Sequence, residues 1–126
     1  MSALRILLAI VIAAAGCTTS TYAPICRGTG WSIPPESLHR RVDDVARERK
    51  AFVQSLELGS LPVEAREAVE GEFHVQFDRL EAAMAAGAQV WAFRYDKCPD
   101  CGWYREGYVA VRECQIVYEM ETLDTM

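Results

Sequence analysis

At Gly87 the apolar period of this chain changes from 3.6 residues to 2, which orders its secondary structure as helices first and strands second. Upstream, Ser32-Ile33-Pro34-Pro35-Glu36 reads as a helix start: a serine able to cap free amides, prolines where no donor is needed, and an acid near the positive end of the dipole. Leu38, Val42, Val45, Phe52, Val53 and Leu56 then form one apolar stripe that stops at Gly59. Ser60-Leu61-Pro62 opens a second helix in the same way, with Val69, Phe73, Phe77, Leu80 and Met84 along one face. Only Gly59 and Ser60 separate the two, so the spacing predicts an antiparallel hairpin of helices, each about 25 residues and roughly 36 Å long. Beyond Gly87 three segments alternate: Val90 to Tyr95, Tyr108 to Arg112, and Ile116 to Met120. The short links between them, Asp96 to Gly102 and Glu113-Cys114, predict an antiparallel meander. The expected fold is therefore α+β: a two-helix antiparallel hairpin packed on one apolar face of a three-stranded β-meander.

The N-terminus carries an address. Arg5 precedes an apolar run that ends at Ala14-Ala15-Gly16-Cys17, which resembles a bacterial lipoprotein signal peptide and its lipobox. The resemblance implies that Cys17 becomes the first residue of the mature chain and takes the lipid, acyl chains such as palmitate serving as the anchor. Leu4 to Gly16 offers thirteen residues, whereas a membrane-spanning helix needs about 20, so the run is too short to cross a bilayer. Cleavage as an ordinary secretory peptide after Ala13-Ala14-Ala15 is the rival, and it would leave Cys17 as an odd fifth thiol. Thr18, rather than Asp, follows the cysteine, and in a Gram-negative host the resemblance then implies outer-membrane sorting and a domain facing the periplasm.

The expected organisation is a signal peptide over 1–16, a lipid-anchored tether over 17–31, one domain over 32–121 and a polar tail over 122–126. Thr18 to Gly30 is rich in short polar residues, with two glycines and a proline, as a tether requires. Cleavage removes Arg5 and no acid, so the net charge of −5 becomes −6. That balance excludes a basic nucleic-acid surface and leaves the membrane link to the lipid.

The cysteines are the residues that invite chemistry. Cys98-Pro99-Asp100-Cys101-Gly102 has the spacing of a zinc knuckle, but a structural zinc needs four ligands. Cys114 stands at the far end of a strand of about ten residues, roughly 30 Å away, and His39 and His74 lie on predicted helices without partners at metal spacing. A redox-active Cys-x-x-Cys would need its first thiol at a helix N-terminus, and this pair sits between strands. Two disulfides are the preferred reading. Residues at i and i+3 of a turn lie within about 7 Å, so Cys98 can bridge to Cys101. Cys26 with Cys114 follows from the strand length, which disfavours the two connectivities that join Cys114 to the Cys98 loop.

His39 with Asp43 and His74 with Asp78 are i, i+4 pairs on predicted helices, but two groups do not make a catalytic or metal site. The alternating tryptophans and tyrosines read as strand packing. Gly87 to Phe93 followed by Gly107-Tyr108-Val109-Ala110-Val111-Arg112 resembles the C-terminal half of small uncharacterised bacterial lipoproteins, a likeness that implies a three-stranded sheet and no activity. The helix-helix-strand-strand-strand order is also similar to the small lipoprotein subunit of the outer-membrane β-barrel assembly machinery. That family's Gly-Met-Thr type of opening motif is missing here. The sequence thus predicts a non-enzymatic envelope protein without cofactor, metal or small-molecule substrate, held to a membrane by its lipid and free to contact another envelope protein. Its alternatives are a thiol redox or metal-binding protein built on Cys98 and Cys101, an outer-membrane assembly accessory, and a secreted ligand-binding domain.

Overall fold

The structure is a computed structural model that describes residues 30–98 and 100–124. A single turn of 3-10 helix, Pro35–Ser37, leads into β1 (Leu38–Val42) and α1 (Val45–Ser55); α2 (Val63–Ala85), β2 (Gln89–Asp96), β3 (Tyr104–Arg112) and β4 (Gln115–Asp124) follow. The strands form one antiparallel sheet in the order β1-β2-β3-β4. The architecture is α+β with four strands, so the three-stranded expectation is corrected by one. The extra strand precedes both helices and departs from the helix-helix-strand-strand-strand order on which the assembly-subunit likeness rests.

Why the first predicted helix divides is visible in its residues. Leu38 and Val42 are four apart, a spacing that satisfies a period of 2 as well as a period of 3.6. Pro34-Pro35 withholds two backbone donors and supports only the short turn, whose Ser37 amide bonds to the Pro34 carbonyl at 2.9 Å. The helix is restarted by Asp44, whose extended backbone (φ −129°) and Oδ1, accepting from the Arg47 amide at 3.1 Å, make an N-cap. Only 11 residues of the predicted 32–59 helix are helical in α1, while α2 keeps its predicted face over 23 residues. α2 closes with a Schellman motif: the Ala88 amide reaches the Ala83 carbonyl and the Gly87 amide the Met84 carbonyl, each at 3.0 Å, with Gly87 at φ +100°.

The two central strands of the sheet are buried on both faces over much of their length. On the helix side Val42, Val45, Phe77, Leu80, Val90, Ala110 and Met120 form the main core. On the other side Trp91, Phe93, Val109 and Val111 pack with Ile33 and Leu38, and Trp31 leans against them. This explains the unbroken run Val90-Trp91-Ala92-Phe93, since a strand covered on both faces has no reason to alternate with polar residues. The cover is the N-terminal segment, pinned where the Trp31 indole Nε1 donates to the Cys114 carbonyl at 2.9 Å and Ser32 Oγ to Glu119 at 3.3 Å. A bulge in β1 serves both faces at once. Leu38 pairs with Phe93 but Arg40 with Ala92, so His39 is the extra residue, Leu38 joins the Trp91 side and Val42 the helix side.

β4 runs on to Asp124, through residues whose polarity predicts a tail from 122. Ion pairs hold that end: Arg105 donates Nη2 to Glu119 and Nε to Glu121, both at 2.7 Å, and Lys97 reaches Asp124. Gly107 lies where β4 shifts register, and a Cβ there would stand 2.0 Å from the Met120 carbonyl oxygen and 2.9 Å from Phe93 Cε1.

Candidate functional site

Three places on the domain carry chemistry or concavity. The first is the β2–β3 loop, where Cys98 and Cys101 are joined by a disulfide with Cα atoms 5.7 Å apart. Asp100 (φ +64°) and Gly102 (φ +72°) turn the chain sharply enough for that closure, and the Lys97 amide bonds to the Trp103 carbonyl at 2.7 Å. Among the described residues the pair lies between strands with no helix terminus beside it. Cys114 is itself disulfide-bonded and stands in the β3–β4 turn, at the opposite end of β3 from the Cys98 loop. Cys26 and Cys17, the bridge partner and lipid acceptor expected from the sequence, lie outside the described residues. Among the described residues no three of His, Cys, Asp and Glu are grouped to hold a metal ion, and no helix is long and apolar enough to cross a membrane.

The second is a concavity of about 310 Å³ on the helix side of the sheet, beyond the end of α1, lined by His39, Arg40, Ser55, Arg94, Glu106 and Tyr108 among others. His39 reaches it from a strand bulge, which corrects its expected helical pairing with Asp43. Its charges are already spent on one another. Arg94 pairs with Glu106 at 2.8 Å and lies 4.3 Å from the Tyr104 ring centre. Glu48 of α1 accepts from Arg40 at 3.0 Å and from the buried Tyr108 hydroxyl at 2.6 Å, tying β1, α1 and β3 together. The Arg40 guanidinium holds the Glu48 carboxyl below its ordinary value, while burial and the carboxylate beside it push the Tyr108 hydroxyl up. The Arg40 end of this cluster is half exposed, and its bonds hold β1, α1 and β3 in place.

The third is a groove of about 390 Å³ between the last turns of α2 and the β3–β4 hairpin. Arg79, Ala82, Ala83 and Ala86 share one face of α2 and form one wall, while Arg112 and Tyr118 close the other side. Arg112 donates Nη1 to the Ala86 carbonyl at 3.1 Å, at the negative end of the helix dipole. Most described cations reach a carboxylate; Arg49, for example, bonds Asp78 at 2.6 Å and Glu81 at 3.1 Å, which also takes Asp78 from the expected His74 pairing. Arg79 and Arg112 make no ion pair among the described residues. The spacing that puts Arg79, Ala82, Ala83 and Ala86 on one helical face is legible in the sequence, but their meeting with Arg112 and Tyr118 is not.

No protein-family model matches the chain, and neither a curated protein nor a solved structure matches it.

Proposed function

We propose that this chain is a lipid-anchored protein of the cell envelope. Its exported α+β domain faces the periplasm and acts without catalysis, through contact with another envelope protein or by supporting the envelope. The observation that carries the reading is disulfide bonding at Cys98, Cys101 and Cys114, a state that belongs to oxidising compartments. It supports export, and the Ala14-Ala15-Gly16-Cys17 run supports both the route and the anchor. In this reading Cys114 pairs with Cys26, so that Cys17 keeps its sulfur for the acyl chains. Palmitate-type chains hold the protein on the outer membrane of a Gram-negative host. Contacts are made by the outer edge of β4, where Val117 and Leu123 are exposed, and by exposed Trp103 beside the disulfide loop.

Fractionation of cells making the full chain or its Cys17→Ala variant tests the reading. The unaltered protein should sediment with membranes and enter the detergent phase, while the variant should be lost from that fraction. Retention of the variant would refute the anchor. Thiol titration adds a second arm: disulfides reduced slowly and only by excess reductant fit a structural role, whereas a Cys98–Cys101 pair that exchanges within seconds favours a redox function.

A further inference from the structure

We infer that the groove between α2 and the β3–β4 hairpin binds the phosphate of an anionic phospholipid, with its alanine wall receiving the first carbons of the lipid tail; this rests on the anchored reading above. The groove's cations are its first argument. Seven of the eleven described lysines and arginines reach a carboxylate, while Lys50 and Arg66 stand on the helices without one. Arg79 and Arg112 instead line an apolar groove without one, and nothing but the Ala86 carbonyl engages Arg112 in the described hydrogen bonds. A planar guanidinium matches phosphate oxygens in pairs, so one balances the charge of a phosphate monoanion and a second adds further donors.

Its second argument is shape. At about 390 Å³ the groove is within the range of small-ligand sites. Ala82, Ala83, Ala86 and Ala88 present methyl groups and no hydrogen-bonding side chains, which suits hydrocarbon and would not suit an inorganic ion alone. Tyr118 and Val117, the latter 45% exposed, continue the apolar wall onto β4.

Its third argument is where the rest of the chain begins. The described residues start at Gly30, and Trp31 is fastened to the Cys114 carbonyl, in the turn that follows Arg112 directly by sequence. The described chain therefore begins at the groove's end of the sheet, on the opposite face. Thirteen peptide steps separate Cys17 from Gly30, a reach of at most about 45 Å. Anchoring at Cys17 would hold the groove within that reach of the headgroups, and at an ionic strength where charges are screened beyond about 8 Å the domain's negative total does not prevent a local contact.

The test titrates the full mature chain with dihexanoyl phosphatidylglycerol below its micelle concentration, and separately with dihexanoyl phosphatidylcholine and with inorganic phosphate, reading the thermal midpoint. A saturable rise with the anionic lipid, at least threefold larger than with either control, is expected. Arg79→Gln should weaken the apparent affinity about tenfold, and Arg79→Lys should recover part of it. Arg112→Gln should do the same, but it also removes the bond to Ala86, so Arg79→Gln is the deciding variant. Equal responses to the two lipids, a response to inorganic phosphate as large as to the lipid, or an unchanged Arg79→Gln would each overturn the inference. The intact mass of the same sample reports the anchor separately: an unmodified Cys17 refutes anchoring, while the monomer titration still judges the groove.

Discussion

Replacing Gly107 with alanine should lower the thermal midpoint of this domain by more than about 10 °C. A Cβ on that residue would stand 2.0 Å from the Met120 carbonyl oxygen and 3.0 Å from its carbon, and 2.9 Å from Phe93 Cε1. Ordinary contact begins near 3.4 Å, so the clash can be relieved only by moving the β4 backbone outward by more than 1 Å or by swinging Phe93, which is 1% exposed. Overpacking of a tight core costs about 1–3 kcal/mol, and each ladder hydrogen bond weakened by the retreat of β4 costs about 1 kcal/mol. With two ladder bonds weakened the loss is about 3–5 kcal/mol, and at about 4–8 °C per kcal/mol for a domain of this size the midpoint should fall by about 12–40 °C. The assay is thermal unfolding with disulfides intact, followed by near-ultraviolet circular dichroism. Gly71 on α2 is the control, because its Cβ meets nothing within 4 Å and Gly71→Ala should raise stability by about 0.5–1 kcal/mol. A Gly107→Ala midpoint within 3 °C of the unaltered protein would refute the close approach of β3 to β4.

Glu48 should govern part of the acid response. Its folded pKa is depressed from an ordinary 4.5, so its stabilising effect is present above that value and lost as pH falls through the lower folded one. Glu48→Gln should therefore narrow the difference between urea midpoints at pH 7 and pH 3, and an unchanged difference would count against the Arg40–Glu48–Tyr108 cluster. Phe77→Ala empties a fully buried position between α2 and the sheet and should cost about 3–5 kcal/mol in urea unfolding. Asp44→Ala removes the α1 cap and should cost about 1 kcal/mol, with Asp44→Asn nearly neutral; equal losses in the two variants would show that the side-chain oxygen does not cap.

Much of the fold is legible in the residues. Gly87 divides helix from strand because it is the left-handed C′ residue of a Schellman motif, and α2 presents the Phe77–Leu80 face its periodicity gives. The order of β2, β3 and β4, their antiparallel sense and the Cys98–Cys101 bridge follow from the short links between alternating segments. β1 was hidden by arithmetic, since Leu38 and Val42 are spaced for either element, and the restart at Asp43-Asp44 reads as a charged helix face until its capping bond is seen. The second buried face was hidden by distance: Trp31, Ile33 and Leu38 meet Trp91 and Val111 across more than fifty residues of sequence, and no local pattern announces that. The groove escaped for the same reason. Arg79 and Arg112 belong to separate elements, and only the packing of α2 beside the β3–β4 hairpin sets them around one hollow.

The mass of the protein extracted from membranes bears most directly on the central proposal. A mature chain that begins at Cys17 and carries a diacylglyceryl group on that sulfur, with or without an amide-linked fatty acid, is the expected species. A chain that keeps residues 1–16, or one that begins near Cys17 with an unmodified thiol, would contradict it.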